Sequence, residues 1–380
     1  MKNRISLLLF GVLLLTTSFI LTGCSKDDDS EPIVKPIAES YIPDYDNGDT
    51  IYINVKIGID RKGWNSKSAE YFRTELTKQW QQITDRFNNC DKKHLLKRHY
   101  VFHPDVNDII VYDGCSYWGE NGANTKMINK IDKNIFKLCV IYDFFYQGSE
   151  AGEYGGGCGD DDGIGTILII NATDENKNVY SNLFDENTYR AITHELGHYR
   201  GVTDLYIDVV EAQNNAVNHE GFSPIHCLMN DYCYTPDAES CWSDYAIKII
   251  NKTGNEKKAG FIENLMHDDF ADSISFTASK AGKPVDATLK FYAATYSYVT
   301  WSNEIGTTPV RSMDLKNGAL TIDARNLFYH GTDIWDHYHL LLIEADLSDG
   351  TKLYHWIPDY ELHNAGMDGV KTYPIQFESK

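Results

Sequence analysis

Hydrophobic periodicity changes character once along this chain, near residue 268, and that change limits the fold more than any other feature. Upstream of it, strand-like and helix-like stretches alternate. "IYINVKIGI" (51–59) alternates as a strand does, and Phe72, Leu76, Trp80, Ile83 and Phe87 then recur at spacings of three and four, one face of a long amphipathic helix. "DIIVYDG", "KLCVIYDFFY" and "TILIIN" add short strands, "TYRAITHELGHYRG" reads as a helix, and "SCWSDYAIKIIN" reads as another, started by Ser240 or Ser243. The glycine-rich "GEYGGGCGDDDGIG" suits an irregular edge or loop, because glycine is entropically expensive in a helix. From Asp268 the helical spacing vanishes. "SISFTAS", "ATLKFYAA", "ALTIDARNLF", "YHLLLIEADL" and "KLYHWIPDY" are strands punctuated by turn signals at Gly282-Lys283-Pro284, Asn317-Gly318 and Asp349-Gly350. The expected class is α+β: a mixed sheet with its helices over residues 49–258, then a small antiparallel β-sandwich over 268–380. A length of 380 residues agrees with two domains.

The N-terminus reads as export machinery rather than fold. Lys2 and Arg4 precede an apolar run from Ile5 to Leu21 that ends in Leu21-Thr22-Gly23-Cys24. This resembles a bacterial lipobox, which implies a signal peptide over 1–23 and lipidation of Cys24. The following "CSKDDDSEP" resembles the acidic export tag of Bacteroidetes surface lipoproteins, and residues 24–48, poor in apolar pattern, read as a flexible tether. The expected location is the outer membrane, exposed at the cell surface and held by the N-terminal lipid alone. With 55 acidic against 35 basic residues, a formal charge of -20 argues against nucleic acid or an anionic membrane surface as partner. Seven cysteines follow Cys24, at 90, 115, 139, 158, 227, 233 and 241, and their pairing is not legible from spacing. Cys139 reads as a buried strand residue.

The densest chemistry lies in "HELGHYRGVTD", His194 to Asp204. On a helix, residues four apart lie one above the other, so His194 and His198 can offer nitrogens to one ion at bond lengths of about 2 Å. Glu195 sits beside that pair and can act on water without ligating the metal. Zinc lowers the pKa of water toward ~7, and a neighbouring carboxylate then accepts the proton. A catalytic zinc takes three protein ligands and an open position, so a third is needed. Gly201 can adopt the left-handed conformation that ends helices, which would swing Asp204 back to the ion. Tyr199 reads as core and Arg200 as helix surface.

H-E-x-x-H-x-x-G-x-x-H/D is the metzincin signature, and this stretch resembles its aspartate form. The resemblance implies a zinc endopeptidase acting on extracellular proteins or peptides, with His194, His198 and Asp204 on zinc and Glu195 as general base. It also implies a Met-turn beneath the ligands. "SPIHCLMNDY" fits this, with Met229 31 residues after His198. A tyrosine two residues after that methionine helps at the metal or oxyanion in some members; Tyr232 is three away. By the same analogy, an edge strand before "TILIIN", in or beside the glycine-rich segment, would receive extended substrate. The "GKPVDATLKFYAA" opening of the second domain looks like transthyretin-like or Ig-like accessory domains of secreted peptidases.

Other assignments stand beside these. Glu220 and His226 are rival third ligands, Cys227, Cys233 and Cys241 lack the paired spacing of a structural zinc site, and "DDDG" (160–163) matches a fragment of a calcium loop. The competing function is a lipid-anchored adhesin or glycan-binding protein with a non-catalytic metal site, in which Tyr292, Tyr296, Tyr298 and Trp301 would stack on sugars.

Overall fold

The computed structural model describes residues 48–113, 129–144, 155–161, 164–170, 183–230, 241–253, 269–297, 302–330 and 337–380. The expected signal peptide, the lipidated Cys24, nearly all of the tether, Tyr232, Cys233, Tyr298 and Trp301 lie outside them, and the side chains of the proposed calcium loop are also outside. Among the described residues no helix is long and apolar enough to cross a membrane. The class is α+β, with three sheets and six α-helices among the described residues. Two compact units form: residues 1–90, 96–199 and 254–260 in the first, and 91–95, 200–253 and 261–380 in the second. The second unit therefore takes in residues 200–253, which sequence motifs group with the upstream half.

In the first unit, β1 (Thr50–Asp60) is the spine of a six-stranded sheet ordered β2-β1-β4-β6-β5. Its neighbours are β2 (His99–Pro104), β3 (Ile110–Tyr112) and β4 (Leu138–Asp143), all parallel to it. Alternation in β1 suggested one wet face, yet the strand is buried on both, as befits a central parallel strand. Even Lys56 is buried, its ammonium 2.7 Å from both Asp105 and Asp108. β6 (Ile164–Ile170) continues the parallel set, and β5 (Gly155–Asp161) closes it antiparallel at the edge. Glycine-rich sequence thus makes a regular strand, the last in the order among the described residues.

After the short α1 (Arg61–Trp64) comes α2 (Ala69–Asn89), capped by Ser68, whose hydroxyl accepts the Tyr71 N–H at 3.1 Å. It buries the five predicted residues, Phe72, Leu76, Trp80, Ile83 and Phe87, each at 1% exposure or less. Two polar residues, Gln79 and Thr84, are buried with them. Gln79, 1% exposed, accepts the Tyr142 hydroxyl from β4 at 2.7 Å and donates to the Leu183 carbonyl at 2.6 Å. Leu183 lies three residues before the motif helix, so this relay ties the chain leading into that helix to α2 and β4.

In the second unit, β14 (Leu340–Leu347) pairs antiparallel with β10 (Ala287–Ser297) and β15 (Lys352–Pro358). β11 (Ser302–Ile305) and β12 (Arg311–Leu315) also pair with β10. A second sheet has β8 (Ser273–Lys280) between β13 (Ala319–Asp323) and β16 (Thr372–Ser379), with β9 (Lys283–Pro284) on the β8 edge. One core joins both sheets: Ile274, Phe276, Ile375 and Phe377 meet Leu289, Phe291, Leu341 and Ile343. The pairing is not purely antiparallel, since β16 runs parallel to β8. So does β7 (Val210–Asn215) to β11, which draws the chain just after the motif into this sheet. Tyr292, one of the proposed sugar platforms, is 6% exposed and packs with Val210, Ile305, Leu340 and Leu342 on the opposite face.

The helices of this unit are α4 (Asp244–Thr253), α5 (Ala324–Phe328) and α6 (Asp359–Met367); α3 is the motif helix. Of the two candidate caps for α4, Ser243 serves, its hydroxyl accepting the Ala246 N–H at 3.1 Å. "ALTIDARNLF" stops being a strand at Asp323 because that side chain caps α5 through the Asn326 N–H at 2.8 Å.

Gln79→Leu leaves two buried polar groups without this partner, at about 1–3 kcal/mol each. A lowered thermal midpoint is expected, together with weaker metal retention downstream; an unchanged melt would mean the relay does not position the helix.

Candidate metal centre

Helix α3 (Glu186–Tyr199) begins where Asp185 accepts the Thr188 N–H at 2.9 Å, an N-cap bond, and Arg190 reaches back to Glu186 at 2.7 Å. Ile192 and Leu196 are fully buried and Tyr199 is 2% exposed, so the predicted apolar face is core. The polar face is equally dry. His194 is 1% exposed, Glu195 0% and His198 3%, and the two imidazoles lie 4.9 Å apart between centroids, nearly perpendicular at 86°.

The helix ends as its glycine requires. Gly201 has φ +89°, a region closed to most side chains, and the chain turns there. Arg200, expected on the surface, is instead 2% exposed: its guanidinium donates to the Thr253 carbonyl, and the Thr253 hydroxyl donates back to the Arg200 carbonyl at 2.8 Å. Thr253 is the last residue of α4, where a cation complements both the terminal carbonyls and the helix dipole. This reason could not be seen from α3 alone.

Asp204 is 5% exposed, and the donor atoms of His194, His198 and Asp204 all lie within 4.8 Å of one another. Two bonds hold the returning segment. The Asp204 Oδ2 accepts the Tyr206 hydroxyl at 2.9 Å, and the next residue, Leu205, donates its N–H to the Met229 carbonyl at 2.9 Å. Met229 is fully buried in a tight turn closed by Asn230 N–H to Cys227 carbonyl at 2.9 Å. The methionine turn is therefore tied by backbone to the residue beside the third ligand. Glu220 and His226 are both exposed and belong to no metal-sized group among the described residues. Cys139 is fully buried in β4, where burial pushes its thiol up to about 12, so it is inert packing.

Tyr206 was not foreseen. The usable signal is a phenol two residues beyond a carboxylate ligand, where it can orient that ligand. The donor set fits zinc: two imidazoles and one carboxylate are its usual partners, and atoms bonded to one ion at about 2.0–2.2 Å lie within roughly 4 Å of each other. A dication also supplies the counter-charge that burial of Glu195 and Asp204 demands. A second group of the same composition, His337, His339 and Asp359, also has its donors within 4.8 Å. The strand pattern of "YHLLLIEADL" gives no sign of it.

No protein-family model matches the chain, and no curated protein matches it. Among solved structures, the crystal structure of wild-type OgpA from Akkermansia muciniphila is similar with a TM-score of 0.33 and 12% identity, over 84% of this chain and 96% of that one. A likeness of that size carries no argument about fold or function.

Tyr206→Phe keeps the ring and deletes the bond to Asp204. Loss of an outer partner of this kind weakens metal affinity by about 10-fold or more, which competition with a chromogenic chelator measures; wild-type affinity would remove Tyr206 from the centre.

Proposed function

We propose that this chain is a zinc-dependent endopeptidase of metzincin type, carried on the outer membrane by a lipid at Cys24. The observation that supports this best is the burial of Glu195 within a convergent set of two histidines and a returning aspartate. In this reading His194, His198 and Asp204 hold the ion, which when bound supplies Lewis acidity toward the scissile carbonyl and the attacking water. Glu195 accepts the proton of that water and delivers it to the leaving amine. Its location next to His194 on a rigid helix keeps the carboxylate positioned without making it a ligand. Tyr206 orients Asp204, and Met229 anchors the ligand-bearing loop from behind. Residues 49–258 carry the catalytic elements, and the C-terminal sandwich serves as an accessory, transthyretin-like or Ig-like module.

Substrate entry follows from the sheet. β5 is the last strand in its order and antiparallel to β6, so an extended peptide can add to its open side through backbone hydrogen bonds. The net charge of -20 favours neutral or basic protein substrates over acidic ones. The adhesin alternative loses one of its four aromatic platforms, because Tyr292 is core.

Glu195→Gln preserves shape and removes the base. Cleavage of an unfolded protein by the purified enzyme should fall by about 100-fold or more while bound zinc stays at the wild-type amount, and chelation should abolish wild-type cleavage. Full activity in Glu195→Gln rejects the assigned base, and Asp204→Ala retaining zinc at wild-type affinity rejects the third ligand.

A further inference from the structure

Outside that centre, His337, His339 and Asp359 converge in the second unit. The two histidines are two residues apart on the segment that leads into β14. Their rings lie 4.3 Å apart between centroids at 62°. His337 Nε2 and His339 Nδ1 each stand 3.2 Å from one and the same oxygen, Oδ2 of Asp359. Asp359 opens α6, and its N–H donates to the His339 carbonyl at 2.8 Å, which fixes the carboxylate relative to the histidine segment.

Four-coordinate zinc with bonds of about 2.0–2.2 Å sets neighbouring donors roughly 3.3 Å apart. The observed 3.2 Å gaps already have that size. The exposures grade outward, with Asp359 side chain 4%, His337 9% and His339 46%, giving a dry carboxylate and one wet histidine through which an ion can enter and leave. A further carboxylate lies close by. Asp208, 2% exposed, has an Oδ1 that accepts no hydrogen bond among the described residues. Two mutually repelling buried carboxylates call for positive charge at this place.

We propose that His337, His339 and Asp359 form a second site for a zinc-like divalent transition metal, distinct from the His194, His198 and Asp204 centre. Two imidazoles and a carboxylate suit such an ion, while calcium needs six to eight oxygens and this group offers only those of one carboxylate. Asp208 supplies the neighbouring negative charge. The ion would clasp the start of α6 to the segment leading into β14. The plain rival is a pair of histidine-to-aspartate hydrogen bonds with protons where the metal would be.

Metal counting decides between them. Full-length protein is stripped with chelator, reloaded with zinc, dialysed and assayed by inductively coupled plasma mass spectrometry. Wild type should hold two ions per chain, and His194→Ala/His198→Ala should hold one and still gain thermal stability on zinc addition. Adding Asp359→Asn to that variant should bring the count to none. His337→Ala/His339→Ala should hold one; should it fail to fold, the His194→Ala/His198→Ala chain alone decides, since it keeps the second site intact. No ion in His194→Ala/His198→Ala, or one that persists when Asp359→Asn is added to it, overturns the proposal whatever the wild-type count. Because the readout is stoichiometry, a failure of the peptidase reading leaves it untouched.

Discussion

The return of a carboxylate onto a helical pair of imidazoles is the constraint on which the centre depends. A helix places two donors at no extra cost, but the third must come from chain that has left the helix, and burial makes any misplacement expensive. Four separate bonds or conformations settle it between Arg200 and Tyr206. Gly201 takes the left-handed turn, Arg200 locks onto the end of α4, Leu205 is bonded to the Met229 carbonyl, and Tyr206 holds one oxygen of Asp204. None of these is a ligand, yet each removes a freedom that the ligand would otherwise have to lose on binding.

The helix itself is placed from the other side. Tyr142 on β4, Gln79 on α2 and the carbonyl of Leu183 form a buried chain of hydrogen bonds across an apolar layer. Apolar packing of Phe72, Leu76 and Trp80 sets the distance between α2 and the sheet but tolerates sliding, since the hydrophobic effect is not directional. A fully satisfied polar relay resists sliding, because any shift strands a buried donor or acceptor. Register of the motif helix is thus fixed by polar atoms and its depth by apolar ones.

Much of this was legible in sequence, and unequally so. Periodicity gave α2 with its five buried residues, and the spacing of His194, His198, Gly201 and Asp204 gave the local geometry, because both depend only on residues close together in the chain. Relations between distant segments were hidden. Arg200 reads as surface until Thr253 is known to lie beside it, and β7 reads as loop until β11 is present to pair with it. His339 sits in the stretch read as a strand and His337 just before it, and only the arrival of Asp359 twenty residues after His339 makes them a cluster. The antiparallel expectation for the second domain failed at β16 and β7 because turn signals reveal hairpins, whereas parallel neighbours are joined by long connections that carry no such mark.

The same hidden pairing changes what the C-terminal strands are for. β11 is one of them, and it runs parallel to β7; its Asn303 side chain donates to the carbonyls of Ile207 and Val209, and the Asn303 N–H donates to Val209 at 3.3 Å. Those carbonyls follow Asp204 by three to five residues. At the far end of this short stretch, Asp208 feels the charge of Asp359 on α6. The segment carrying the third ligand is therefore clamped along its length by chain that comes after residue 268. An accessory domain joined only by a linker would leave the ligand loop indifferent to its removal; here β7 would lose its ladder partner and Val210 its apolar neighbours Tyr292, Ile305, Leu340 and Leu342. On that argument the strands beyond residue 268 are part of the apparatus that holds Asp204 in place, and the chain divides by periodicity at a point where, physically, its site is still being built.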